Sequence, residues 1–409
     1  MAKSKVVQNT VMLYLMNFAK IALPLITLPY LTRVLSLNNY GTFTYVKTVM
    51  TYMQLIIDFG FLFSATKDIV EAGKNKKEIG NITGNVLIAK FILSFFSFLF
   101  LIILTIFIPL LRKNIIFTLV SFVPVFLTIF LFDFLFRGIE EMQIITFRYI
   151  LMKGISTGLT FIFVKGNNDL MWIPILDIIG TLVAILWVWR TMNRMGIVLS
   201  FGTLKEAFNK IKISAVYFVS DIVSTAFGAL NTLIVGILLS SSDVAFFGLV
   251  SQLVAAVQAM YTPIVNGIYP EMVKTKSLNL IKKVLYIFMP LITIGCLIVF
   301  FGAGIILSII GGSKYIGAGT VLKLMIPVLF FSFPEMLFSW PVLGVIDKVK
   351  ETTATTIEAT IVQITGLLLL IIFNVFTLNT ITMLRGITEF ILFVLRWTIF
   401  WKNRYRFNK

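Results

Sequence analysis

Residues 91–108 read FILSFFSFLFLIILTIFI, eighteen positions without a charge or a glycine. An α-helix rises about 1.5 Å per residue, so roughly 20 such residues cross the hydrocarbon of a bilayer. Comparable runs recur along the chain with only short interruptions. In lipid the backbone must satisfy its own hydrogen bonds, so segments of this length and composition span as helices. With 58% hydrophobic and 13% charged residues among 409, the chain reads as an all-α integral membrane protein. Twelve transmembrane helices are expected, near 9–32, 40–64, 82–108, 115–136, 142–164, 169–190, 213–239, 244–270, 284–310, 319–346, 354–376 and 378–401. The connections are too short to hold a further domain.

The basic residues orient it. Of those outside the deep apolar stretches, 22 fall in one set of connections and 5 in the other (Arg33, Arg112, Lys113, Lys165 and Lys314). Positive charge stays inside, so both termini are expected in the cytoplasm. The net charge of +17 therefore reports topology and contact with anionic lipid, and nucleic acid is excluded as a partner. The first apolar run is too long for a cleavable signal peptide. A single cysteine, Cys296, rules out a disulfide framework, and the absence of histidine rules out zinc clusters and histidine catalysis. No catalytic constellation appears, and nothing points to a metal or a cofactor. GGSK at 311–314 lacks the spacing of a phosphate-binding loop. KVVQNT at 5–10 and GTLKEAFNKIK at 202–212 read as interfacial pieces, the second joining two halves.

Those halves come from self-similarity. A shift of 207 residues pairs Lys5 with Lys212, Gly41 with Gly248, Gly60 with Gly267 and Lys76 with Lys283. Two six-helix bundles follow, residues 1–200 and 201–409, related by an axis along the membrane normal. Polar residues keep helical spacing in four equivalent spans. They are Asn17, Lys20, Pro24 and Thr27 in the first, and Lys47, Thr51, Gln54 and Asp58 in the second. The seventh carries Asp221, Ser224, Gly228 and Asn231, and the eighth Ser251, Gln258, Thr262 and Asn266. A central cavity walled by spans 1, 2, 7 and 8 is expected from them.

The costliest residues in this pattern are charged. A mid-bilayer cation is retained for pairing or for function. At about 1.5 Å per residue, Lys20 lies roughly 18 Å and Lys47 roughly 20 Å from the cytoplasmic edge, with Lys153 and Lys90 at roughly 16 Å and 13 Å. Lys20 and Lys47 are expected to face each other across the cavity, with Lys153, Asn231 and Gln258 as further contacts. Lys90 fits snorkelling or local pairing. An ion pair of Lys20 with Asp177 is the competing structural reading. Deep in the second half, Arg385 has Glu389 one turn on as its neutralising partner. Without histidine, coupling to H+ or Na+ would run through Asp58, Asp177, Asp221 or Glu335. Pro24 and Pro29 are expected to bend the first helix.

The stretches KVVQNTVMLYLMNF, LPYLTRVLSLNNYGTFTY and YMQLIIDFGFLFSATKDI resemble polysaccharide flippases of the Wzx type, within the multidrug/oligosaccharidyl-lipid/polysaccharide exporter superfamily. The likeness rests on Lys5, Asn9, Pro29, Tyr30, Leu31, Arg33, Tyr40, Gly41, Asp58 and Gly60; Leu37 stands where the family often has glycine. It implies a bacterial cytoplasmic-membrane flippase, not an enzyme, that moves an undecaprenyl-pyrophosphate-linked oligosaccharide to the outer leaflet by alternating access. It implies membrane lipids, a polysaccharide polymerase and assembly machinery as partners, and it adds Arg33 to the substrate contacts. Two alternatives stand beside it. A multidrug-type exporter of the same superfamily would favour an acidic cavity. A membrane enzyme of envelope assembly would need an outer domain.

Overall fold

The structure, a computed structural model, describes residues 2–408; the side chains of residues 2–4, 6, 7, 220 and 223–228 lie outside the described set. Ser224 and Gly228 of the expected seventh-span stripe fall among those. Helices dominate, and among the described residues no strand forms beyond one bridge between Ser277 and Asn408. In order they are α1 (Ala2–Val34), α2 (Leu37–Asp58), α3 (Phe61–Ala72), α4 (Lys76–Phe107), α5 (Pro109–Lys113), α6 (Ile115–Leu127), α7 (Asp133–Gly138), α8 (Met142–Phe163), α9 (Trp172–Arg194), α10 (Leu204–Leu238), α11 (Ser241–Thr275), α12 (Leu278–Gly311), α13 (Gly319–Leu324), α14 (Ile326–Leu337), α15 (Val349–Ile372) and α16 (Leu378–Lys402).

Ten stretches of described helix are long and apolar enough to cross a membrane. Two of the expected twelve are not among them. Helix α8 has 22 residues, but Arg148 and Lys153 interrupt its apolar run. Helix α10 has 35 residues, and only its last part, Ala229–Leu238, counts as apolar among the described residues. Packing divides the chain into two compact units, residues 1–237 and 238–409. That division keeps α10 with the first unit, whereas the repeat set the boundary at 200/201.

In the first unit a hairpin of α1 and α2 is fastened to α8 and α9. Ser36 caps α2, its Oγ accepting from the Asn39 amide at 3.3 Å. Asn167, between α8 and α9, accepts the Ser36 amide at 2.6 Å, and its carbonyl takes the Asn39 side chain at 3.0 Å. Tyr30 donates to the Val164 carbonyl at 2.8 Å. At the other end Lys5 pairs with Glu141 at 3.2 Å and Asn9 donates to the Glu140 carbonyl at 3.0 Å. KVVQNT is therefore the docked start of α1, not a separate interfacial piece. Helix α1 runs through Pro24 and Pro29 without interruption. Thr27 and Thr32 donate back into the same turns, to the Pro24 carbonyl at 3.0 Å and the Leu28 carbonyl at 2.7 Å.

The expected second span is instead two helices. Phe59 and Gly60 both adopt left-handed backbone, φ 41° and 74°, which ends α2 before α3 starts. A Cβ on Gly60 would stand 2.5 Å from the Tyr217 Cβ, so glycine is required by both the conformation and the contact. Four and eight residues on, Ser64 meets Ser214 at 2.6 Å and Asp68 accepts from Lys210 at 2.5 Å. LKEAFNKIK, residues 204–212, thus forms the first turns of α10, and α10 lies along α3. The segment before it rests on a groove of α4. Ser200 donates to the Gly80 carbonyl at 3.2 Å and Gly202 to Asn85 Oδ1 at 3.0 Å.

The second unit packs around Tyr261, Phe333, Leu337, Phe338 and Phe400. Ser240 caps α11 in a reciprocal box with Asp243. The tenth expected span, 319–346, is broken. Helices α13 and α14 are followed by a π-turn at Phe338–Leu343, where Ser339 has ψ −121° and Pro341 cannot donate to the ladder.

Candidate functional site: a cationic cavity in the first unit

Helices α1, α2, α6, α8 and α9 enclose a cavity of about 590 Å³. Lys20, Pro24 and Thr27 reach it from α1, and Lys47, Thr51 and Gln54 from α2. The stripes expected on these two spans therefore face one space, apart from their end members Asn17 and Asp58. Helices α8 and α9 were missed as walls, although their spacing carried the signal. Lys153, Ser156, Thr157 and Thr160 fall three, four and seven apart on α8, and Asp177 and Thr181 four apart on α9; all six line the cavity.

Its charged lining is three lysines and one aspartate, 3 − 1 = +2. The aspartate is not bound to Lys20. Lys153 Nζ lies 2.8 Å from Asp177 Oδ1, and Ser156 Oγ donates to the same oxygen at 2.6 Å. Lys20 sits instead over the Tyr149 ring, 5.7 Å from its centroid, and Lys47 over the Phe43 ring at 5.7 Å. Each gains cation–π attraction, which an aromatic face offers a cation within about 6 Å. Among the described residues no carboxylate lies within salt-bridge distance of either ammonium. The charges that act on Lys20 are Asp133, Arg148 and Arg137, and those on Lys47 are Lys153 and Asp177.

Beyond Lys20 the same unit holds two closed pairs. Lys90 Nζ lies 2.8 Å from Asp58 Oδ1, and Gln54 donates to the other oxygen at 2.9 Å. Arg148 donates to Asp133 at 2.7 Å. Lys90 is thus a locally paired residue, and Asp58 is held by it. The remaining expected residues lie apart from the cavity lining. Arg33 is exposed in the last turn of α1, Asn231 is buried on α10, and Asp221 is half-buried on α10.

Gln258 and Glu335 belong to a polar interior within the second unit. Gln258 donates to Ser332 at 2.7 Å, and Ser332 donates to Glu389 at 2.7 Å. Arg385 reaches Glu389 at 3.3 Å, as their four-residue spacing suggested. Arg396 binds the Glu335 carboxylate, its carbonyl at 3.2 Å, and Thr356 at 2.9 Å. Glu335, Glu389 and Arg396 are all buried.

Residues 6–276 match the family model described as polysaccharide biosynthesis protein. The "putative O-antigen transporter" of Escherichia coli (strain K12) is 27% identical over 383 residues, covering 91% of this chain and 90% of that one. In fold, the chain is similar to the lipid II flippase MurJ in an inward closed conformation, with a TM-score of 0.67, 12% identity, and 96% of this chain and 87% of that one covered. It is also similar to an inward-facing multidrug resistance MATE family transporter of the MOP superfamily, with a TM-score of 0.60, 13% identity and coverage of 94% and 98%.

Proposed function

The chain belongs to the polysaccharide biosynthesis protein family, and we propose that it is a multi-pass flippase that carries a lipid-linked oligosaccharide across the bacterial cytoplasmic membrane. The carrier we infer is undecaprenyl pyrophosphate, moved by alternating access between two six-helix halves, with twelve spans and both termini in the cytoplasm. The observation that carries this reading is the pair of cavity lysines, Lys20 and Lys47, without a carboxylate partner among the described residues. A lipid-linked glycan has an anionic linkage and a hydroxyl-rich head, and both need a hydrated, positively charged path. Its tail remains in the bilayer. At about 590 Å³ the cavity lies within the range of small-molecule sites, about 300 to 1,000 Å³. The multidrug alternative meets a cavity with two excess positive charges, which repels organic cations.

Lys20→Ala tests this. Charge-assisted hydrogen bonds contribute about 1.5–3 kcal/mol each, so transport of a fluorescent lipid-linked glycan in proteoliposomes should fall about tenfold or more. Membrane level should hold, because Lys20 leaves no buried carboxylate behind. Lys20→Arg should keep part of the rate, since charge is retained while its geometry changes. Full transport by a stable Lys20→Ala protein would refute the anion-contact role.

A further inference from the structure

The cavity's three lysines divide into two chemistries. Lys20 and Lys47 present positive charge that is free of carboxylates among the described residues. Lys153 is cancelled by Asp177. If the cavity served only to attract an anion, that aspartate would work against it. What the pair leaves is a station with no net charge, rich in both donors and acceptors. The Lys153 ammonium and the Ser156 hydroxyl both bond Asp177 Oδ1, and the second carboxylate oxygen has no protein bond among the described residues. Thr160 and Thr181 spend their hydroxyl protons on the Ser156 and Asp177 carbonyls, at 2.7 and 2.6 Å. Their oxygens remain available as acceptors, and the Tyr149 ring lines the same space.

Exposure separates this pair from the buried Arg396–Glu335 pair of the second unit. The side chains of Lys153 and Asp177 are 37% and 28% exposed in the cavity wall, against 6% and 10% for Arg396 and Glu335. All three lysines line one cavity: Lys47 feels the charges of Lys153 and Asp177, and Lys20 sits over the Tyr149 ring, one turn before Lys153 on α8.

We propose that Lys153, Asp177 and Ser156 form a binding site for the hydroxyls of an uncharged sugar, distinct from the anion site at Lys47 and Lys20. The inference rests on the flippase reading and names its substrate more narrowly: a glycan whose sugar next to the anionic linkage is neutral. A sugar diol both donates and accepts, which the station matches. A uronic acid at that place would bring a second carboxylate against Asp177, and like charges in a low-dielectric wall repel strongly.

The probes are farnesyl-pyrophosphate-linked hexose and the matching hexuronate, titrated against the full-length protein in nanodiscs, with inorganic pyrophosphate as competitor. The unmodified protein should bind the hexose conjugate about tenfold or more tightly than the hexuronate. Asp177→Asn should bring the two within about twofold, by raising hexuronate affinity. Lys20→Gln should weaken both by a similar factor and leave their ratio unchanged. If Asp177→Asn fails to fold, Ser156→Ala removes a hydroxyl of the sugar site while keeping the Asp177 charge, and should weaken the hexose conjugate about fivefold with pyrophosphate competition unchanged. The wild-type ratio itself needs no variant. Equal binding of the two conjugates, or loss of both in proportion with Asp177→Asn, would overturn the sugar site while leaving the anion site standing. If neither conjugate nor pyrophosphate binds, the flippase reading falls first and this inference with it.

Discussion

Around the cavity of the first unit three lysines meet one aspartate, and their head groups are accessible from the cavity. In the second unit Arg385 and Arg396 meet Glu389 and Glu335, one cation to one carboxylate; Glu335, Glu389 and Arg396 are buried and Arg385 is largely so, among Ser332, Gln258, Thr355 and Thr356. Both units carry charge at depth, at similar energetic risk. The second resolves that risk internally, whereas the first leaves part of it open to whatever enters. Intramembrane charge is therefore not by itself a mark of function. The proposed site is where charge lacks an ion-pair partner among the described residues.

The largest effect that could break this contrast lies in the second unit. Glu335→Gln leaves the Arg396 guanidinium buried against a neutral amide, and losing one member of a buried pair costs about 3–5 kcal/mol. Membrane level and the melting temperature in detergent should both drop. The double variant Glu335→Leu with Arg396→Met should recover most of the loss, since apolar replacement of a whole buried pair is often neutral. A single variant that accumulates normally but cannot transport would make the second unit's charges functional after all.

An intermediate effect is expected at Lys90, which belongs to the first unit yet behaves like the second. Its side chain is 9% exposed, but that of its partner Asp58 is 44% exposed, and Gln54 still supports the carboxylate. Lys90→Ala should therefore cost about 1–2 kcal/mol of stability, as for a partly solvated acceptor that loses its donor. A loss as large as that of Glu335→Gln would place Asp58 in the same buried class.

The smallest effect on stability is expected at Lys47. Lys47→Gln removes a cation with no ion-pair partner among the described residues, so the melting temperature should shift by no more than about 0.5 kcal/mol would move it, while flipping in the same preparation should collapse. Destabilisation of several degrees would show that Lys47 supports the helix bundle and would blur the line between the units.

Much of this was legible in the residues, and the limits were geometric. The faces of α1 and α2 could be read because spacing along one helix fixes which residues share a side. The partner of Asp177 could not, because Lys20 and Lys153 lie at similar depth on different helices and only the packing of α8 against α9 chooses between them. The 207-residue shift shows the same limit. It paired Gly60 with Gly267, but Gly60 is left-handed and pressed on Tyr217, whereas Gly267 lies inside the continuous α11 with nothing within 4 Å of its missing Cβ. It also set Gly41 against Gly248, and both are buried near the start of a serine-capped helix. The π-turn at Ser339 was likewise hidden, because Pro334 and Pro341 announce a disruption without saying which turn absorbs it.

The groove on α4 decides where the chain can be cut. Cβ atoms on Gly80 and Gly84 would lie 2.0 and 2.2 Å from the Val198 and Ser200 carbonyls, so the stretch between α9 and α10 is an inlaid strip of backbone rather than a slack tether. A tag, a protease site or a split-protein junction placed at residues 198–202 would have to lift that strip off the helix, together with the bonds to Gly80 and Asn85. The turn at Gly73 is the opposite kind of place. It is exposed, left-handed, and has no atom within 4 Å of a would-be side chain, so extra residues can leave the surface there without disturbing a neighbour. Engineers seeking an insertion point should take the glycine that touches nothing and spare the two that touch a carbonyl.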